Sequence, residues 1–128
     1  MVQRNSFNVL VIPQNYILED NILSSIANEF ETYSVILKMN PNTFYNFHRD
    51  EKRKCAINLL LAGSDSSCFF ADKLTDDYML VNFEELKYQP DTFYLLDTKK
   101  YHAVANKNNI RYLLSMGIYD ADFDTVLI

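Results

Sequence analysis

The chain has 128 residues, 48% of them apolar, with nine Phe, nine Tyr and a formal net charge of −5. That length and apolar content suit one domain over residues 1–128 with a packed core and exclude a disordered chain, and the acidic balance argues against nucleic acid as a partner. No apolar run approaches the ~20 residues of a membrane span and no signal peptide is visible; Cys55 and Cys68 lack a CxxC pairing and read as reduced core thiols, so a cytoplasmic protein is expected. Residues 7–12 (FNVLVI) read as a short apolar strand closed by Pro13. Residues 18–31 take helical spacing: Ile22, Leu23, Ile26, Ala27 and Phe30 form one stripe, and Glu19 and Asp20 suit the positive end of the helix dipole. This is the one convincing helix.

From residue 33 the period becomes that of strands. YSVILKM (33–39) meets an Asn-Pro-Asn turn at 40–42. TFYNFHRD (43–50) alternates, which places Phe44, Asn46, His48 and Asp50 on one face. Residues 51–54 form a charged turn; with Arg49, Lys52, Arg53 and Lys54 it reads as a solvated basic patch. CAINLLLA (55–62) is apolar enough for a strand buried on both sides. After a turn at 63–67 come CFFAD (68–72), YMLVNF (78–83), DTFYLLD (91–97), YHAVAN (101–106) and IRYLLSMGIY (110–119), and TVLI (125–128) could add an edge strand. About eight short strands at this spacing predict an all-β sandwich or barrel.

The chain holds only two histidines. His48 opens a His-Arg-Asp triplet, and His102 lies 52 residues beyond Asp50. Two imidazoles and one carboxylate, with positions left open, are the ligand set of non-haem Fe(II) oxygenases. The i, i+2 spacing of His48 and Asp50 suits two ligands from one strand, with the third arriving from a distant one. The triplet also opens the protein-kinase catalytic loop, but that loop needs Asn where Cys55 stands, and neither a Gly-rich loop nor DFG is present.

The stretches HRDEKRKCAINLLLAG and YQPDTFYLLDTKKYHAVANKNNIRYLLSMGI together resemble the Fe(II)/2-oxoglutarate-dependent oxygenases. That superfamily carries His-x-Asp near the end of a barrel strand, a second His some fifty or more residues later, and an Arg or Lys about ten residues beyond. His48, Asp50, His102 and Arg111 match those positions, and the resemblance spans roughly residues 33–118. Pro90-Asp91 stands where relatives often have Gly-Asp. Leu113 stands where many have a serine; alternation puts Arg111, Leu113, Ser115 and Gly117 on one face, so Ser115 reaches the same cavity. The resemblance implies a double-stranded β-helix, or jelly roll, with one N-terminal supporting helix. It implies Fe(II) on His48, Asp50 and His102, and 2-oxoglutarate anchored through its far carboxylate by Arg111, a guanidinium–carboxylate fork. Asn58, polar within an apolar strand, is a further candidate for co-substrate contact or for a structural hydrogen bond.

Dioxygen and 2-oxoglutarate are then the expected partners, and hydroxylation of a protein or peptide side chain or a small molecule is the expected reaction. Tyr33, Tyr45, Phe47 and Tyr94 are candidates to line the pocket. Two rival readings stay open: a cupin-like metal enzyme that needs no 2-oxoglutarate, and a non-enzymatic β-sandwich binding module in which the histidines are incidental. The short chain with its acidic, apolar C-terminus is compatible with a homo-oligomer under each.

Overall fold

A computed structural model describes residues 2–3, 8–63, 65–77 and 79–127. Residues 7, 64, 78 and 128, which fall within elements expected from the sequence, lie outside them. In chain order the elements are β1 (Val2–Gln3), β2 (Asn8–Val11), α1 (Gln14–Ile17), α2 (Asn21–Glu29), β3 (Thr32–Met39), β4 (Thr43–His48), β5 (Cys55–Ala62), β6 (Ser66–Ala71), β7 (Lys73–Leu74), β8 (Leu80–Val81), β9 (Glu84–Leu86), β10 (Phe93–Leu96), β11 (Tyr101–Asn106), β12 (Arg111–Ile118) and α3 (Phe123–Leu127).

The strands form two five-stranded sheets, ordered β1-β4-β11-β6-β9 and β10-β5-β12-β3-β2, with β7 and β8 as a small extra ribbon. Every pairing is antiparallel except β1 with β4. Period-2 alternation divides the second sheet into two faces. On β12, Leu114, Met116 and Ile118 point outward and join Cys55, Ile57, Ile17 and Leu23 in one core beneath the helices. Leu113 points inward with Met39, Cys68, Tyr88 and Val104, the core between the sheets. The architecture is the expected jelly roll, with a helical layer covering one sheet.

The expected 18–31 helix is two pieces. Pro13 starts the single turn α1, and Asp20 begins α2 by accepting from the backbone N–H of Ile22 (2.9 Å) and Leu23 (2.8 Å). Leu23 is buried and Ile26, Ala27 and Phe30 pack behind it, but Ile22 faces solvent, so the stripe is narrower than expected. Residues 125–127 of the expected C-terminal strand are helical: Asp122 accepts from Thr125 N and Oγ1 (2.9 and 2.7 Å) and caps α3, whose Phe123 and Val126 cover the outer core. Local capping overrides the β-propensity of Val126. The apolar β2 is an exposed edge, with Val9, Leu10 and Val11 all turned at least partly to solvent. Strand β5 is buried only over Cys55–Asn58, because its far half runs out to the rim of the sandwich. The segment expected as a strand at 78–83 contributes only β8, and β6 begins two residues earlier than expected.

One irregularity shapes the interior. Strand β4 pairs with β11 as His48↔His102 and Tyr45↔Val104, so Asn46 and Phe47 together oppose Ala103. This β-bulge adds one residue and reverses the alternation beyond it. His48 therefore shares its face with Tyr45, the two rings lying 4.0 Å apart, while Asn46 faces solvent. The face expected from simple alternation, Phe44 with Asn46 and His48, does not form.

Candidate functional site

His48 is the last residue of β4, Asp50 lies two residues beyond it, and His102 sits across the ladder on β11. Their ligand atoms fall within 4.8 Å of one another. Asp50 Oδ1 is 3.7 Å from His48 Nε2 and 3.5 Å from His102 Nε2, and the two rings stand 4.3 Å apart.

The tautomers are set by the backbone. His48 Nδ1 lies 2.7 Å from the carbonyl of Asn46, and His102 Nδ1 lies 2.8 Å from that of Lys100. A carbonyl only accepts, so each Nδ1 carries the proton and each Nε2 turns its lone pair toward Asp50. Two lone pairs and a carboxylate oxygen converging on one point need a proton or a cation between them. The donor set, two imidazole nitrogens and one oxygen on a single side, fits a divalent transition ion with further positions open. Burial, aided by the facing His102, holds His48 below its ordinary 6.5 and keeps it neutral, as ligation requires. Burial alone would raise Asp50, but its contact with His102 and the Arg53 charge outweigh that and hold it below 3.8.

The turn bearing Asp50 is pinned. Asp50 N donates to Thr98 O (3.0 Å), Lys99 Nζ donates to the carbonyls of Asp50 and Glu51 (2.8 and 3.0 Å), and Thr98 Oγ1 donates to Arg53 O (3.1 Å). Of the basic residues expected to form a solvated patch, Arg49 lies over the Tyr101 ring, but Arg53 turns inward. Its Nε and NH2 bond Asp50 Oδ2 (2.7 and 2.6 Å), and NH1 donates to Ser115 Oγ (2.9 Å). The sequence sets Arg53 beside Asp50 as a candidate turn ion pair but gives no sign that it reaches inward to Ser115.

The cavity behind the histidines, about 90 Å³, is lined by Arg53, Asn58, Tyr88, Arg111, Leu113 and Ser115 among others. Arg111, at the start of β12, is 2% exposed. Its guanidinium lies 5.5 Å from the Tyr88 ring centre, its Nε has no hydrogen-bond partner, and among the described residues no carboxylate pairs with it. Burial pushes its pKa down, yet arginine stays charged. Asn58 Nδ2 donates to Tyr88 OH (2.9 Å), which leaves Asn58 Oδ1 buried and unpartnered. Of the aromatic candidates, Tyr45 lines this cavity. Tyr94 packs beside it and lines a second hollow of about 280 Å³ between the edges of β9 and β10, which shares the walls Phe70 and Leu96. Tyr33 is exposed on the outer surface, and Phe47 is absent from both linings. Tyr88, missed by the sequence reading, carries no local signal.

No protein-family model and no curated protein matches the sequence. Solved structures match in fold. EvdO2 from Micromonospora carbonacea var. aurantiaca, complexed with 2-oxoglutarate, has a TM-score of 0.65 at 12% identity, with 90% of this chain and 67% of that chain covered. A Pseudomonas putida prolyl-4-hydroxylase has a TM-score of 0.61 at 15% identity, covering 90% and 72%. A cupin superfamily protein from Desulfitobacterium hafniense has a TM-score of 0.53 at 12% identity, covering 94% and 84%. At such identities the likeness establishes the cupin-type jelly-roll fold, and function rests on the site itself.

Proposed function

We propose that this chain is an Fe(II)/2-oxoglutarate-dependent oxygenase, most simply a hydroxylase. The observation that carries the reading is Arg111, a guanidinium sealed beside the His-Asp-His cluster with no carboxylate of its own. A buried charge without a partner is costly, and a bound carboxylate answers it. Charge counting agrees. The cavity and its mouth hold two guanidiniums, Arg53 and Arg111, and one carboxylate, Asp50. A divalent ion added to these leaves three net positive charges, which suits a dianion and opposes a neutral or cationic occupant.

His48, Asp50 and His102 would hold the ion through Nε2, Oδ1 and Nε2. When bound, the ferrous ion with 2-oxoglutarate would supply the oxidising chemistry with dioxygen as oxidant: one of its oxygen atoms enters a C–H bond, and the other leaves in succinate as the co-substrate loses carbon dioxide. The chain's own residues bind and exclude. Arg111 holds the far carboxylate of the co-substrate in the cavity. Asn58 Oδ1 and the Ser115 hydroxyl flank that position as further polar contacts. Leu37, Val104 and Leu113 wall it off from water. The hollow between β9 and β10 adjoins the cavity through Phe70 and Leu96 and offers the substrate, a protein side chain or a small molecule, its approach.

Anaerobic titration with Fe(II) and then 2-oxoglutarate tests the reading. A weak visible charge-transfer band is expected in the parent and lost in His102→Ala. A protein that binds Fe(II) but never develops the band would be a metal-dependent cupin of another kind.

A further inference from the structure

We infer that Arg53 is a positioning residue for the metal centre: its guanidinium fork takes Oδ2 of Asp50 so that Oδ1 alone faces the two imidazoles. The inference rests on the proposed metal reading and goes beyond it.

A carboxylate on a turn can rotate and offer an ion one oxygen or two. Here the rotation is stopped. Two nitrogens of one planar guanidinium, Nε at 2.7 Å and NH2 at 2.6 Å, meet the same oxygen. The third, NH1, is tied to Ser115 Oγ at 2.9 Å, and Ser115 is 1% exposed on the rigid central strand β12. Arg53 thus joins the metal-binding turn to the middle of the second sheet. The backbone end is fixed as well, through Thr98 Oγ1 on Arg53 O. The oxygen left over, Oδ1, is the one aimed at His48 and His102. A one-oxygen carboxylate leaves an additional coordination position for co-substrate or dioxygen.

Gly117 is the independent sign that this placement is built in. The chain has two glycines. Gly63 takes φ +91°, which a side chain would strain. Gly117 has no such backbone and sits inside a strand, where glycine weakens the element. A Cβ at Gly117 would meet Arg53 Cδ at 2.6 Å and Cγ at 3.0 Å, with Tyr119 Cε2 at 3.2 Å. The bare position leaves the room in which the arginine stem runs across the strand and reaches both Ser115 and Asp50.

Manganese(II) serves as a redox-silent probe, its free fraction followed by electron paramagnetic resonance, on the parent, Arg53→Met, Arg53→Lys and Gly117→Ala. Removal of a residue that orients a ligand typically costs about 10–100-fold in metal affinity, and that loss is expected for Arg53→Met. Arg53→Lys keeps the charge without the fork and should recover only part of the affinity. Should Arg53→Met fail to fold, Gly117→Ala keeps the guanidinium but displaces its stem, and the same direction of loss is expected. Variants that bind Mn(II) within threefold of the parent would overturn the inference while leaving the metal site intact. A parent that binds no Mn(II) would overturn the metal reading, and this inference with it.

Discussion

Arg111→Met is expected to stabilise the ligand-free protein and to abolish co-substrate binding, two effects of opposite sign from one atom group. Methionine is similar in length and apolar, so it occupies the space beside Met39, Leu113 and Cys68 without a polar head. The guanidinium it removes is 2% exposed, its Nε is unpartnered, and Tyr88 compensates it through its ring and a side-chain hydrogen bond. Leaving a buried donor unsatisfied costs about 1–3 kcal/mol, more for a charged group, against which a cation–π contact returns about 0.5–2 kcal/mol. The net expected gain is at most about 2.5 kcal/mol, and at roughly 4 °C per kcal/mol for a domain of this size the melting temperature should rise by up to about 10 °C. The loss on the binding side is larger. Two charge-assisted hydrogen bonds at about 1.5–3 kcal/mol each amount to about 3–6 kcal/mol, which at 1.4 kcal/mol per decade is roughly a 10²–10⁴-fold weakening for 2-oxoglutarate. The assay is thermal unfolding under anaerobic Mn(II), with and without 2-oxoglutarate; a parent at a hundredfold over Kd gains about 2.7 kcal/mol from the ligand, and the variant should gain at most about 0.4 kcal/mol. A variant that melts well below the parent would show that Arg111 is a satisfied structural residue, and one that binds 2-oxoglutarate as tightly as the parent would remove Arg111 from the co-substrate site. Either result refutes the reasoning.

Acidification should weaken the metal-free fold. Burial holds His48 below 6.5, so the unfolded chain takes up the proton more readily; this contribution is fully present above about 6.5 and is lost as the pH falls toward the folded value. Urea unfolding at stepped pH checks it, and greater stability at pH 5.5 than at 7.5 would contradict it. Metal affinity should fall over the same window, because ligation needs neutral imidazoles. Gly63→Ala places a methyl 2.5 Å from Ile110 O and 2.8 Å from Arg111 Cα at φ +91°, a clash and a strain that should cost more than about 1 kcal/mol and lower the unfolding midpoint. Asp20→Ala removes the acceptor of two α2 backbone N–H groups and should cost about 1 kcal/mol, read from the same unfolding curve with metal affinity unchanged.

The fold class was legible because it depends on local period. YHAVAN and IRYLLSMGIY alternate, are bounded by turn residues, and become β11 and β12 within a residue of the expected limits. The helix that supports the second sheet was legible as a stripe, but its start was not, since Asp20 rather than Leu18 supplies the cap. What escaped is what depends on a partner strand. The bulge at Asn46–Phe47 exists only because Ala103 is the single residue opposite, and nothing within TFYNFH announces an extra residue. Alternation therefore assigned Phe44 and Asn46 to the face that Tyr45 and His48 occupy. Arg53 was read with its charged neighbours because a turn with four cations is usually solvated; the signal that could have singled it out was Gly117, a glycine in mid-strand with no turn to serve.

The same non-local pairing that hid these features creates the candidate site. A regular ladder would keep Tyr45 and His48 on opposite faces. The added residue turns His48 inward against His102, leaves the chain at Asp50 free to curl back, and brings Arg53 under the second sheet, where Ser115 receives it. The bulge supplies the geometry and the bare Gly117 supplies the room. Deleting Asn46 or Phe47 would remove the extra residue yet leave Tyr45 and His48 two apart, hence on one face, with His48 still opposite His102. Mn(II) affinity should be retained in a folded jelly roll, and its loss would show that the bulge itself, beyond the shared face, holds His48 in position.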